Sequence, residues 1–333
     1  ITGILMIVST IISYKYNLSI IKNPSEISGI WLDLFNWLPF IWLFWAFQPY
    51  LTKLKQRIIC MKIFICGSIP VLVSGFLQVW GKIYGPMETL NGLIIWYQRP
   101  LSDQLGLSGL FNNQNYAAAW LSFILPFCIV SYANCKGKFY QKGMLIIINF
   151  FVFIALILTI SRVAFINIIF TFPFLFGIKI ISWYLPFTLG LITFFLIYIF
   201  YANLPFVNNI FSQIIPERLL FKIESIKFSQ WNSILRFNIW IFTGFLIFKR
   251  PIFGYGANTF PILFQEAYQR WQGHTHNIFL ELCQVYGIPI ALVILVSIII
   301  LIRNSLIKIP IYGKKKSLEK IDLYFERAWF AAF

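Results

Sequence analysis

Charged side chains are scarce in this sequence, and their scarcity limits its class more than any motif does. Only 11% of the 333 residues are charged, against about 25% in a soluble globular domain, while 59% are hydrophobic and 20% aromatic. So little charge cannot cover a water-facing surface, which excludes a soluble globular protein. Apolar runs such as 58–80 and 181–202 are long enough to cross a bilayer core of roughly 30 Å. We therefore predict an all-α, polytopic integral membrane protein.

Acidic residues are fewer than basic ones: the chain has 11 Asp and Glu and 27 Lys and Arg, which gives a formal net charge of +16. Nucleic-acid binding would need a basic stripe with interleaved aromatic residues on a soluble segment, and none is present. The basic residues instead form short clusters between apolar runs, the distribution of cytoplasmic loops. We therefore predict a lipid bilayer, and no nucleic acid, as the partner. The clusters are Lys53, Lys55 and Arg57; Lys136, Lys138 and Lys142; and Arg303, Lys308, Lys314, Lys315, Lys316 and Lys320.

Apolar runs predict eight transmembrane helices, with a ninth beginning near residue 327. We expect a transmembrane bundle of about seven spans over 1–202 and a large external loop over 203–276. The C-terminal part, 277–333, is expected to hold one span, a basic cytoplasmic loop and the start of another span. Because the chain begins at Ile1 and stops inside an apolar run, we expect further spans at both ends. The eight spans cover about 1–14, 35–52, 58–80, 110–134, 143–161, 163–178, 181–202 and 277–302.

The predicted external loop is too apolar to extend freely into water. Over 214–237, apolar residues recur at helical spacing between basic ones, the pattern of a helix in the membrane interface. Trp231, Trp240 and Trp271 suit the same depth. We predict interfacial helices that fold back over the bundle and roof a cavity.

Cysteine and histidine are too few for an evident metal site. The five cysteines lie in or beside apolar runs without metal-ligand spacing, which predicts small buried side chains. The only two histidines, His274 and His276, are one residue apart, and the next acidic residue is Glu281. No phosphate-binding GxxxxGK[ST] loop is present. An imidazole titrates near neutral pH, so His276 is either a catalytic acid or base or a solvated structural residue.

Arginines on the predicted outer side oppose the usual bias of basic residues toward the cytoplasm. Arg162 lies in the turn TISRVAF between two spans, and Arg236 lies at the end of the predicted interfacial helix. Each could simply reach lipid phosphates. Together they could form an anion site, because guanidinium groups bind phosphate oxygens bidentately and stay charged. Arg218, Arg250 and Arg270 are also predicted to be external.

The stretch GLFNNQNYAAAW, residues 109–120, places a run of amides where a span begins. Such amides need partners in a membrane. Asn112, Asn113 and Asn115 could cap the helix or bind neighbouring helices. Alternatively, they could line a hydrated cavity and bind sugar hydroxyls. A second glycine-containing stretch, PIFGYGANTF at 251–260, lacks the Thr-Val of a potassium filter and predicts a tight turn.

Four blocks in order resemble the O-antigen ligase and polymerase superfamily of bacterial membrane glycan transferases. They are SGLFNNQNYAAAWLSFILPF, TISRVAF, RFNIW with PIFGYGANTF, and HNIFLELCQVYGIPI, between about 108 and 290. In the ligases, a His and then Asn or a similar polar residue precede nine residues and a Gly, and here His276, Asn277 and Gly287 match. The pattern ends in Gly, Thr or Tyr, whereas this chain has Ile290, which leaves ligase or polymerase open.

The resemblance implies transfer of a glycan from undecaprenyl pyrophosphate to an acceptor hydroxyl, without a metal ion or other cofactor. The acceptor would be a glycan or lipid A core, at the periplasmic face of the bacterial inner membrane, in lipopolysaccharide biosynthesis. The family's essential residues correspond to Arg162, Arg236 and His276, which we expect to converge on one outward-facing cavity. Residues expected to bind substrate are Asn112, Asn113, Asn115, Arg218, Arg250, Arg270 and Asn277.

Two other functions are weighed against a ligase. A polymerase of the same superfamily would join repeat units instead of transferring them to another acceptor. Some members of the superfamily are labelled bicarbonate transporters, and an outward cationic cavity would suit an anion. Transporter spans usually hold ionisable residues near mid-membrane, and only Lys62 and Glu281 come close to such a position here.

Overall fold

The computed structural model describes residues 2–17, 24–96, 98, 100, 101, 106–177, 235–308 and 320–332, with isolated positions between 182 and 209. These residues are mainly helical, as expected, and residues 48–51 add one 3-10 turn. The chain divides into two compact units. Unit 1 comprises Ile1–Tyr50 and Ser229–Ser305, and unit 2 comprises Leu51–Phe228 and Leu306–Phe333. The helices are α1 Thr2–Asn17, α2 Pro24–Phe47, α3 Leu54–Val79, α4 Gln114–Ala133, α5 Phe139–Leu158, α6 Arg162–Phe176, α7 Leu235–Lys249, α8 Phe260–Tyr268, α9 Ile278–Tyr286, α10 Ile288–Lys308 and α11 Lys320–Ala332.

Three helices within the described residues, α3, α4 and α5, are long and apolar enough to cross a membrane. Residues 162–176 and 288–304 form shorter apolar helices. The predicted span 181–202 lies outside the described residues, apart from isolated positions. The count of eight to nine spans therefore stays a prediction.

Unit 2 is built around α4, which packs against α3, α5, α6 and α11. Its main buried cluster is apolar, with Leu121, Phe127 and Leu156 fully buried. At one end, Arg57 of α3 forms a 3.1 Å ion pair with Glu326 of α11. A short antiparallel hairpin follows α3, with β1 Met87–Thr89 paired to β2 Ile94–Trp96. This hairpin is the only strand pairing within the described residues.

Unit 1 combines α1 and α2 with α7 to α10. Met6, Leu34 and Tyr286 belong to one buried apolar cluster, and Phe260 and Phe264 of α8 belong to another beneath α7. Two hydroxyl groups of α1 make polar contacts inside this unit. Ser9 Oγ and Ser13 Oγ both donate to the carbonyl of Phe253, at 2.8 Å and 3.0 Å.

The segment 251–257 forms the predicted tight turn, and it lies against the C-terminal end of α9. The amide of Tyr255 donates to the carbonyl of Gln284 at 2.7 Å, and that of Gly256 to Val285 at 2.9 Å. A Cβ on Gly254, whose φ is +64°, would lie 2.5 Å from the carbonyl oxygen of Val285. Glycine therefore permits this close approach of two backbones.

The predicted span 277–302 is divided into two helices in the structure. Gly287 ends α9 with φ +91°, and a Cβ there would lie 2.0 Å from the carbonyl oxygen of Ile252. The amide of Ile288 then donates to the carbonyl of Pro251 at 2.7 Å. Turn 251–257 therefore packs directly against the break between α9 and α10.

The predicted external loop contains two described helices, α7 and α8. Helix α7 is apolar, and its Phe237, Ile241, Phe245 and Phe248 are exposed. The predicted helix over 214–237 lies almost wholly outside the described residues. The domain boundaries, and the assignment of 203–276 to the outside, stay predictions.

Candidate functional site

His276 lies in the loop between α8 and α9 and adopts a left-handed backbone conformation with φ +57°. Non-glycine residues seldom adopt such angles, and in folded proteins they concentrate at functional sites. The next residue, Asn277, caps α9, because its Oδ1 accepts hydrogen bonds from the amides of Phe279 at 3.0 Å and Leu280 at 3.2 Å. This cap fixes the chain direction immediately after the histidine.

Thr275 anchors the loop from the other side of His276. It is fully buried, and its amide donates to Oε2 of Glu281 at 2.8 Å. Its carbonyl accepts from Nε1 of Trp240 on α7 at 3.0 Å. Contacts to α7 and α9 therefore hold the loop in place.

Two neighbours surround the His276 ring. The amide nitrogen of Gln272 lies 2.8 Å from Nε2 of His276, and the His274 ring centroid lies 4.3 Å away at 65°. An amide nitrogen can only donate, so Nε2 of His276 accepts and carries no proton. In this arrangement the proton of the neutral ring is on Nδ1.

The surroundings favour the neutral form of His276. Partial burial lowers its pKa below the usual 6.5, and the charges of His274 and then Arg236 lower it further. The lowered pKa favours the neutral ring, which can accept a proton.

Arg236 lies in the first turn of α7, four residues before Trp240. Residues four apart share one face of a helix, so the Trp240 bond to Thr275 places that face beside the histidine loop. The effect of Arg236 on the pKa of His276 follows from this arrangement. The structure thus brings together two of the three predicted catalytic residues, within unit 1.

The other external arginines are placed differently. Arg250 follows the C-terminus of α7, 14 residues or about 21 Å from Arg236. Its guanidinium lies 3.1 Å from the Tyr16 ring centroid and donates to the carbonyl of Gly254 at 3.3 Å. Arg270 is exposed, two residues before Gln272. Arg218 lies outside the described residues.

Arg162 belongs to unit 2, where it is the first residue of α6 and is exposed. The preceding residue, Ser161, is buried, and its Oγ donates to Oδ1 of Asn115 at 3.2 Å. Asn113 caps α4 by accepting from the amide of Asn115 at 2.8 Å. Asn113 therefore forms the helix cap that was one of the two possibilities for this stretch.

The amides also line a cavity of about 180 Å³ at the N-terminus of α4. The structure therefore contains both features considered for this stretch, a helix cap and a cavity lining. Binding of a sugar there stays a prediction. The lining residues are Gln78, Gly106, Ser108, Asn112, Asn113, Gln114 and Asn115.

Residues 147–304 match a family model described as O-antigen ligase. This region, slightly less than half of the chain, is therefore similar to the O-antigen ligases. The matched segment contains Arg162, Arg236 and His276, whereas the amides of 112–115 precede it. No curated protein matches the chain, and no solved structure matches it.

The O-antigen ligase region contains functional candidates that sequence reasoning missed. Gln272 contacts His276, and Glu281 holds the loop through Thr275. In unit 2, Gln78 and Ser108 contribute to the cavity wall but precede the matched region. A lone glutamine within an apolar helix was the only signal for Gln78, and nothing in the local sequence indicated Gln272.

Proposed function

We propose that this protein transfers an oligosaccharide or polysaccharide from undecaprenyl pyrophosphate to an acceptor hydroxyl at the outer face of the bacterial plasma membrane. The observation that carries the proposal is that the Trp240 bond to Thr275 brings the helix face of Arg236 beside the loop of His276, inside the O-antigen ligase region. Eight to nine spans, with 203–276 on the periplasmic side, are part of the same proposal.

Neutral His276 supplies the base in this reaction. The acceptor hydroxyl takes the place of Gln272 as the hydrogen-bond donor to Nε2, and its oxygen attacks the anomeric carbon of the donor sugar. The proton passes to the imidazole as the new carbon–oxygen bond forms. The lowered pKa keeps His276 available for this proton at neutral pH.

Arg236 supplies positive charge for the leaving group. As the bond from the anomeric carbon to the pyrophosphate breaks, negative charge grows on the phosphate oxygens. Guanidinium donors at fixed positions stabilise that charge. Bound pyrophosphate also offsets the charge that Arg236 exerts on His276, which raises the affinity of the imidazole for a proton. By the family resemblance, we assign Arg162 to the pyrophosphate as well.

The test uses full-length protein in proteoliposomes with a labelled undecaprenyl-pyrophosphate oligosaccharide, with and without a lipid A core acceptor. We expect label to leave the carrier for the core. Label that enters longer chains without a core would identify a polymerase instead. His276→Ala is expected to reduce transfer by about 10²- to 10⁴-fold, because the base is lost. His274→Ala is the matched control and should retain transfer. Retained turnover in His276→Ala would remove His276 from the mechanism, and transfer in no sample would refute the proposed activity.

A further inference from the structure

The cavity at the start of α4 presents hydrogen-bonding groups of both kinds. Its described lining carries five side-chain amides and one hydroxyl, and each of these groups contains a donor and an acceptor. None of these described lining residues carries a charge. Phosphate oxygens only accept hydrogen bonds and favour charged donors. Sugar hydroxyl and acetamido groups both donate and accept, and so they match this lining better.

The far wall of the cavity is built in advance of any ligand. The Gln78 side chain is 1% exposed, and its Oε1 accepts from the amides of Ser108 at 2.9 Å and Gly109 at 3.3 Å. Its Nε2 donates to Oγ of Ser108 at 2.9 Å. Three hydrogen bonds from one buried side chain thus hold the segment 106–109, and a preformed wall lowers the ordering cost of binding.

Close backbone contact fixes the same segment from its other side. The amide of Leu107 donates to the carbonyl of Leu158 at 2.8 Å, and a Cβ on Gly106 would lie 2.1 Å from the carbonyl oxygen of Thr159. The segment 106–109 therefore lies directly against the turn 159–161, which leads into Arg162.

The cavity also adjoins Arg162 through Asn115, which lines it and accepts from Oγ of Ser161. We propose that this cavity binds the sugar ring attached directly to the pyrophosphate of the donor and selects among donors by the substituents on that ring. The inference rests on the proposed function, in which Arg162 binds the pyrophosphate. A volume of about 180 Å³ equals roughly six waters at ~30 Å³ each, which suits one ring and not a long glycan.

Photo-crosslinking tests the location independently of turnover. Full-length protein in nanodiscs receives undecaprenyl pyrophosphate linked to one N-acetylhexosamine that carries a diazirine on the ring. After irradiation and digestion, mass spectrometry maps the attachment. We expect cross-links within 106–116 that excess unmodified lipid-linked sugar suppresses. Cross-links found only elsewhere would overturn the cavity as the site of this ring.

Donor selectivity tests the chemistry. Two lipid-linked donors that differ only in the first sugar, a 2-acetamido sugar or a 2-hydroxy sugar, are compared by kcat/KM. Asn112→Leu is expected to change the ratio of the two kcat/KM values by about tenfold, because one polar contact to the ring is lost. The control Asn134→Leu removes an amide at the other end of α4 and should leave the ratio unchanged.

The outcomes separate the two proposals. If wild-type protein transfers both donors and Asn112→Leu scales their rates equally, the cavity inference is wrong while the activity stands. If no donor is transferred but cross-links still map to 106–116, the cavity binds the sugar and the proposed reaction fails.

Discussion

Gln272 decides which nitrogen of His276 is free of a proton, since its amide nitrogen lies 2.8 Å from Nε2. The hydrogen bond favours neutral imidazole, in agreement with burial and the nearby positive charges. A glutamine is an apt partner, because it orients the ring without adding charge. A change of charge at residue 272 should therefore alter the pKa of His276 and, through it, the pH dependence of the reaction.

Gln272→Glu places a carboxylate beside Nε2 and should raise the pKa of His276, because an opposite charge favours imidazolium. Activity that needs the neutral base is lost as pH falls through the pKa of His276. Raising that pKa moves the acidic limb of the kcat/KM profile to higher pH. Gln269→Glu, the same charge change at an exposed residue of the loop, is the control. An unmoved limb in Gln272→Glu would show that His276 is not the titrating base.

Arg236→Lys separates charge from geometry. The positive charge remains, so the acidic limb set by His276 should stay in place. The bidentate contact to pyrophosphate is lost, and kcat/KM should fall by about 10²-fold. The comparison is Arg303→Lys, an exposed arginine of α10, which should retain activity. If Lys at 236 performs as well as Arg, the contact is a point charge only.

At the scale of elements, the break between α9 and α10 positions the site. Gly287 ends α9, and turn 251–257 lies against that end. The N-terminus of α9 carries the Asn277 cap next to His276. The nine residues of α9 thus connect the contact at Gly287 to the histidine loop.

Gly287→Ala should destabilise the protein, because its Cβ would meet the carbonyl oxygen of Ile252 at 2.0 Å and its φ is +91°. With φ +91° and ψ 162°, the backbone lies in a region that essentially only glycine adopts, which costs roughly 1–3 kcal/mol for another residue. We expect a lower Tm in detergent, measured by intrinsic fluorescence. Gly244→Ala is the matched control in α7, where a Cβ would have open space. Ala is about 1 kcal/mol better than Gly inside a helix, so this variant should keep or raise the Tm. Equal Tm values for the two variants would contradict this account of Gly287.

At the scale of the whole molecule, unit 2 shows how the basic clusters relate to the cavity. Helix α4 has 20 residues and is about 30 Å long, the thickness of a bilayer core. The amides and Arg162 lie at its N-terminal end, whereas the loop with Lys136 and Lys138 follows its C-terminal end. The two groups therefore occupy opposite ends of a candidate span.

Cysteine labelling can test this orientation in intact cells. In a background without the native cysteines, Asn112→Cys should react with a membrane-impermeant maleimide added outside. Lys138→Cys should react only after the membrane is permeabilised, because the basic loop is predicted to be cytoplasmic. Reaction of both positions from the outside would refute the orientation.

Local patterns in the sequence were sufficient for several features. The low charge content established a membrane protein, because few side chains can face water. Asn113 was among the residues expected to cap a helix, and it caps α4 in the structure. The glycines of 251–257 predicted a turn, and the structure contains it. Such features depend on composition or on residues a few positions apart, which a sequence displays directly.

Tertiary structure alone decided how the candidate sites are held. Trp240 and Thr275 are 35 residues apart, Gln78 and Ser108 are 30 apart, and Ser161 and Asn115 are 46 apart. The division of the last predicted span at Gly287 likewise depends on a distant turn. No periodicity links such positions, since their contacts form only when separate helices pack. Composition and local patterns were enough to identify a mainly helical membrane protein and to suggest candidate site residues, whereas helix packing fixed the partners of His276 and the wall of the cavity.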